Sequence, residues 1–215
     1  MTENKATTIR PRLPKLVVTT RCMDVMLPWY CNVLGMSLVH RIDAVNGGPK
    51  GEQDFKVAWV TNDETDHRLV LIELPEGEAD PDEEDLDEED DQGSPHFAFG
   101  FRHLDELLDV YARLKEQDIL PNLCTDAGAK TSFYYEDPDH NGVVLSVDNY
   151  GNSWAADEYL RRSSEFIKRP MGHCVDPEQL IAARKAGASP WELHEQAWAG
   201  KFAPAKPCDP QMLFS

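Results

Sequence analysis

Apolar positions along this chain fall into two stretches that carry the same order of patterns. In the first, Leu16 to Thr20 is a short apolar run suited to a strand, and Met23 to Leu34 follows with the spacing of a helix face. Gly35 stands where a left-handed glycine ends a helix. Pro28 lies inside the helical run, which predicts either a kink or a later start. Three strand-like runs come next, Ser37 to Ile42, Phe55 to Thr61 and Arg68 to Leu74, with Asn46-Gly47-Gly48 and Asn62-Asp63 as turn signals.

The second stretch repeats the series. His96 to Phe101 alternates as a strand, and Leu104, Leu107, Leu108, Tyr111 and Leu114 recur at helical spacing. Leu120 to Thr125, Ser132 to Glu136 and Val143 to Val147 read as three strands, with Asp137-Pro138-Asp139 and Asn141-Gly142 as turns. Tyr30 follows Lys15 at the spacing by which Tyr111 follows His96, so Lys15 and His96 are equivalent positions at the start of each first strand. Matching the last strands places Glu73-Leu74 on Val144-Leu145, and four positions then form two symmetric pairs. With Val18 and Ala98 packed under the helices, strand alternation turns the neighbouring positions to the opposite, cavity-lining face. The fold class expected is α+β, built from two paired βαβββ modules with a helical C-terminal extension.

That extension follows from Trp154. Asp176-Pro177-Glu178 reads as a cap, a first-turn proline and an acidic first turn, with Gly187 closing the helix. Ser189-Pro190-Trp191-Glu192 is a capping box that opens another helix, ended by Gly200. Trp191 and Trp198 are expected to pack this extension onto the body. The plan is a tail over 1–12, a first module over 13–75, an acidic flexible linker over 76–94, a second module over 95–150 and the extension over 151–215.

Composition narrows the function classes. At 215 residues, 41% hydrophobic and 9% aromatic, the chain can bury a sizeable core. Its net charge of −18 is concentrated in Glu76 to Asp91, a run of about a dozen carboxylates without Lys or Arg, which repels itself and stays solvated. No oxygen ligands recur there at EF-hand spacing, and the acidic balance disfavours nucleic acid. The first fifteen residues lack the apolar core of a secretory signal, and no apolar run is long enough to cross a bilayer. Cys22, Cys31, Cys124, Cys174 and Cys208 show no metal or redox spacing and read as reduced thiols of a cytoplasmic protein.

Trp29-Tyr30 with Val33-Leu34-Gly35-Met36, and the run from Thr131 to Asp139, resemble the vicinal oxygen chelate superfamily of glyoxalases, bleomycin-resistance proteins and type I extradiol dioxygenases. The likeness runs from about Leu13 to Gly200 and is greatest to small biphenyl-diol-dioxygenase-like members. It implies two modules paired as a half-open barrel around a divalent metal. In the dioxygenases two His at the first-strand positions and a Glu in the final strand would hold that metal. Here those places read Lys15, His96 and Val144. The family's His-Gly before the third strand of the second module becomes Ala127-Gly128, and its Asp-Pro-Asp-Gly-Asn turn becomes Asp137-Pro138-Asp139-His140-Asn141.

A lysine ammonium is no metal ligand, and valine has no donor. Any metal would rest on His96 and Glu73, with His40, His67 and His103 as poorer substitutes. The expectation is therefore a cofactor-free site in which Lys15 stabilises an oxyanion, His96 or Glu73 acts as base and Tyr134 as donor. The reaction expected is isomerisation, cyclisation or elimination on an aromatic or polyketide-like small molecule. Two alternatives stand beside it: an Fe(II) extradiol dioxygenase, and a non-catalytic binding protein in which Lys15–Glu73 is a structural ion pair. No nucleic-acid or membrane partner is expected, and the chain would be a monomer or homodimer.

Overall fold

A computed structural model describes residues 15–45, 55–64, 66–74, 96–206 and 208. The acidic run expected as a linker lies outside them. The chain divides into two compact units, Met1–Glu84 and Asp85–Ser215.

In the first unit the order is β1 (Leu16–Thr20), α1 (Met23–Leu34), β2 (Ser37–Val45), β3 (Phe55–Thr61) and β4 (Leu69–Glu73). The sheet order is β1-β4-β3-β2, with β1 parallel to β4 and the other pairs antiparallel. Helix α1 buries Met23, Met26, Leu27, Tyr30 and Val33, one stripe at helical spacing. Pro28 sits inside an unbroken helix, and Gly35 ends it at φ 62°.

The second unit opens with the same series: β5 (His96–Phe101), α2 (Leu104–Lys115), β6 (Leu123–Asp126), β7 (Lys130–Glu136) and β8 (Gly142–Asp148). Its buried helix stripe is Leu104, Leu107, Leu108, Tyr111 and Leu114. Each of these five residues follows its α1 counterpart by one constant offset, the offset that carries Lys15 to His96. The repeat inferred from sequence is thus a structural one. Strand β6 starts at Leu123 rather than Leu120, because Ile119 N–H turns back to Leu114 O and closes the helix end.

The extension belongs to this second unit. It comprises α3 (Ser153–Arg162), α4 (Ser164–Lys168), β9 (His173–Cys174), α5 (Pro177–Lys185) and α6 (Pro190–Trp198), and β9 adds to β6 in the sheet order β5-β8-β7-β6-β9. Asp176 and Ser189 cap α5 and α6 as their sequence predicts. Helix α5 is tied to α2 by two Arg184–Asp105 contacts of 2.6 and 2.8 Å and by Tyr111 Oη donating to Glu178 at 3.0 Å. Trp191 packs on Tyr150, and Trp198 on Tyr159 and His173, so both tryptophans serve packing. Cys174 and Cys208 form a disulfide, which corrects the expectation of five reduced thiols; Cys22, Cys31 and Cys124 are free. The pairing carries no sequence motif because strand β9 and the tail, 34 residues apart, meet only on folding.

Beneath α6 lies a polar cluster without a sequence signal. His194 Nδ1 is 2.8 Å from Asp126 Oδ2, and both side chains are buried. Asp126 also accepts from Gly128 N–H at 2.8 Å, while Asn149 bridges from Thr131 (2.8 Å) to Gly128 O (3.0 Å). Removing His194 takes from the buried Asp126 carboxylate its imidazole partner and leaves it underpaired. His194→Ala should therefore destabilise the protein by about 2–4 kcal/mol in denaturant titrations; a loss indistinguishable from that of an exposed-residue control would refute this anchor.

Candidate functional site

Pairing first strand to last sets the faces of each sheet. In the second unit Val143, Leu145, Val147, Phe133 and Tyr135 are buried, and Phe133 meets Tyr111 of α2 edge to face. The alternate positions form the face away from the helix. Its rungs across β5, β8 and β7 read His96–Gly142–Glu136, Ala98–Val144–Tyr134 and Gly100–Ser146–Ser132, with Leu123 and Thr125 of β6 extending the last two. His96 and Tyr134 thus share one face, one rung apart. Ala98 is exposed on that face and the counterpart of buried Val18 is Phe99, so the placement of Ala98 under a helix is corrected.

The His96 ring lies over Gly142. A Cβ built on Gly142 would come within 1.8 Å of His96 Cδ2 and 2.6 Å of Nε2. Only glycine leaves room for this approach. On the far side of Gly142, Glu136 takes a hydrogen bond from Asn122 Nδ2 (2.8 Å) and pairs with His140 Nδ1. The hydrogen bonds from His140 and Asn122 outweigh burial and hold the Glu136 carboxyl below its ordinary range. Sequence reasoning missed this pair, although histidine at a turn position suited to glycine was its signal.

In the first unit Lys15 is exposed at the start of β1, in alternation with exposed Val17 and Thr19. Glu73 stands elsewhere. It pairs with Thr20 at the far end of the β1–β4 ladder, whereas Leu16 pairs with Leu69. Lys15 and Glu73 are therefore about 17 Å apart along the strands, at a rise near 3.3 Å per residue, and form no ion pair. The match of Glu73 to Val144 is corrected as well: by ladder position Val144, opposite Ala98, corresponds to Val70, opposite Val17. Glu73 lies on the helix face, where its Oε2 accepts Met23 N–H at 2.6 Å and its Oε1 meets Lys56 Nζ at 2.8 Å. It supplies the cap that Cys22 lacks.

The remaining histidines are structural. His103 caps α2, its N–H donating to Glu106 at 3.0 Å; His40 stacks near Trp59; His67 pairs with its neighbour Asp66.

Residues 12–145 match the sequence profile of the Glyoxalase/Bleomycin resistance protein/Dioxygenase superfamily. The chain belongs to this superfamily. It is 33% identical over 196 residues to biphenyl-2,3-diol 1,2-dioxygenase 3 of Rhodococcus globerulus, covering 90% of this chain and 93% of that one. It is 30% identical over 200 residues to biphenyl-2,3-diol 1,2-dioxygenase 2 of the same organism, covering 93% and 95%. Among solved structures, a glyoxylase/bleomycin resistance protein/dioxygenase domain from Frankia sp. EAN1pec shares the fold at a TM-score of 0.50 and 17% identity, over 67% of this chain and 96% of that one. The superfamily fold, two mixed sheets each backed by a helix, is the one described above.

A metal site of the kind the resemblance implies does not fit these residues. Val144 offers no lone pair on the rung beside His96, and Glu73 points to α1. Among the described residues no three His, Cys, Asp or Glu are placed to hold an ion.

Two outcomes follow. Gly142→Ala should displace the His96 ring, read as a shift of its imidazole NMR resonances while those of His103 stay in place; unmoved His96 signals would contradict the packing. For Glu73, burial pushes the carboxyl up, but the Lys56 hydrogen bond, the Met23 N–H and the Lys56 charge outweigh it and hold it below the ordinary carboxylate range. Such a group contributes stability above its unfolded-state value and loses it as pH falls through its folded value. Glu73→Gln should cost about 1–2 kcal/mol at neutral pH, and the gap to wild type should close through the acid range. A gap independent of pH would exclude the charged cap.

Proposed function

We propose that this chain is an enzyme acting by acid–base chemistry on an aromatic small molecule that carries a phenolic or enolic hydroxyl. The observation that carries this reading is the rung pattern of the second unit: His96 and Tyr134 share the sheet face away from α2, with donor-free Val144 on the rung of Tyr134. A histidine can take a proton from such a hydroxyl and a tyrosine can donate to the resulting oxyanion. Lys15 stands at the equivalent position of the first unit, exposed at the start of β1. Glu73 has no part in this reading, because its carboxylate caps α1. Isomerisation, cyclisation or elimination all begin with this proton transfer.

A second reading, ring cleavage by an Fe(II)-dependent extradiol dioxygenase, is favoured by near full-length identity of 33% and 30% to two biphenyl-2,3-diol dioxygenases. In that reading His96 is the one expected ligand retained. The same relatives make a catechol-like diol the first compound to try.

Biphenyl-2,3-diol separates the readings. Tryptophan fluorescence should report saturable binding that EDTA leaves unchanged and His96→Ala weakens at least about tenfold, with no oxygen uptake before or after Fe(II) is added. Iron near one atom per chain, together with oxygen uptake on the diol, would establish the dioxygenase and overturn the first reading.

A further inference from the structure

The hairpin that joins β7 to β8 holds a histidine where backbone geometry favours glycine. His140 has φ 68°, in the left-handed region. Asp137, buried at the hairpin base, enforces that conformation. Its carboxylate accepts from Asp139 N–H (3.0 Å), Asn141 N–H (2.9 Å) and Asn141 Nδ2 (2.9 Å), and its carbonyl accepts His140 N–H at 2.9 Å. A non-glycine residue kept in this region at some cost in strain is a reason to ask what its side chain does.

That side chain is presented outward and oriented. Nδ1 of His140 pairs with Glu136 Oε1, and Glu136 Oε2 is anchored by Asn122. The imidazole is 81% exposed, so its Nε2 is open to solvent. A carboxylate on one ring nitrogen fixes the tautomer with its lone pair on the other. The location is equally specific. Glu136 and His96 occupy the two ends of one rung, with Gly142 between them and the His96 ring laid over that glycine. Neighbouring strands are about 4.8 Å apart, so the Glu136 and His96 backbones are separated by roughly 10 Å.

We infer that His140, oriented by Glu136 and Asn122, is a second proton-accepting group on the face that carries His96, serving the hydroxyl of the bound phenol. The inference rests on the function proposed above. The phenolic O–H gives its proton to His140 Nε2, the electron pair stays on the oxygen as phenolate, and Nδ1–H of the resulting imidazolium faces the Glu136 carboxylate. Glu136 and Asn122 are positioning residues, and His140 is the group that meets substrate.

The test is a titration of the full-length protein with biphenyl-2,3-diol across pH, following the ultraviolet absorbance change of catecholate formation. Wild type should bind the diol as its monoanion below the pH at which the free diol ionises. His140→Gly, which relieves the left-handed strain, should fold with an unchanged or raised thermal midpoint. It should nevertheless move ionisation of the bound diol up by about one pH unit, a tenfold change in that equilibrium. Glu136→Gln should move it in the same direction. A His140→Gly curve that superimposes on wild type would overturn this assignment and leave the proposed function standing. A wild type that binds only the neutral diol, or none, would bring down the proposed function and this assignment with it.

Discussion

The parallel pairing of each module's first strand with its last is the constraint on which the other features depend. In each module the first strand sits at the sheet edge, the chain crosses by a helix, and an antiparallel meander returns to lay the last strand beside the first. Once that ladder is set, the period of two leaves no freedom in which side chains meet the helix. Val18, Thr20, Leu69 and Leu71 are buried in one unit, and Val143, Leu145 and Val147 in the other. Lys15 and His96 fall at the same ladder position on the faces left over.

The same constraint separates residues that look alike in sequence. Two carboxylates at strand ends, Glu73 and Glu136, differ in fate because their rungs differ. Glu73 is carried to the helix face and completes the α1 N-terminus, where an anion meets unpaired N–H groups and the positive end of a helix dipole. Glu136 is carried to the other face, beside a histidine and an asparagine. Chemistry in this superfamily member is thus a matter of register before it is a matter of residue type.

Around the second module the extension forms a single structure with the sheet. Ion pairs between α2 and α5, the buried Asp126–His194 contact and the Cys174–Cys208 disulfide act on different parts of it. The buried contact is the most demanding of them, since a carboxylate removed from water depends on all its partners together. Exposed pairs such as Lys115–Glu178 contribute far less.

By itself the sequence determined the elements and their repetition, because helical and strand periodicities are local and the two apolar stripes match position by position. Gly35, Asp176 and Ser189 marked helix ends for the same reason: capping involves neighbours a few residues apart. The losses of a histidine at Lys15 and of a carboxylate at Val144 were legible from family motifs alone. Only the tertiary structure decided that Glu73 caps a helix, that Ala98 faces away from one, that Cys174 meets Cys208 and that Glu136 shares a rung with His96. Each of these is a contact between segments distant in sequence, and its register is set by inter-strand hydrogen bonds and buried packing that local patterning leaves undetermined.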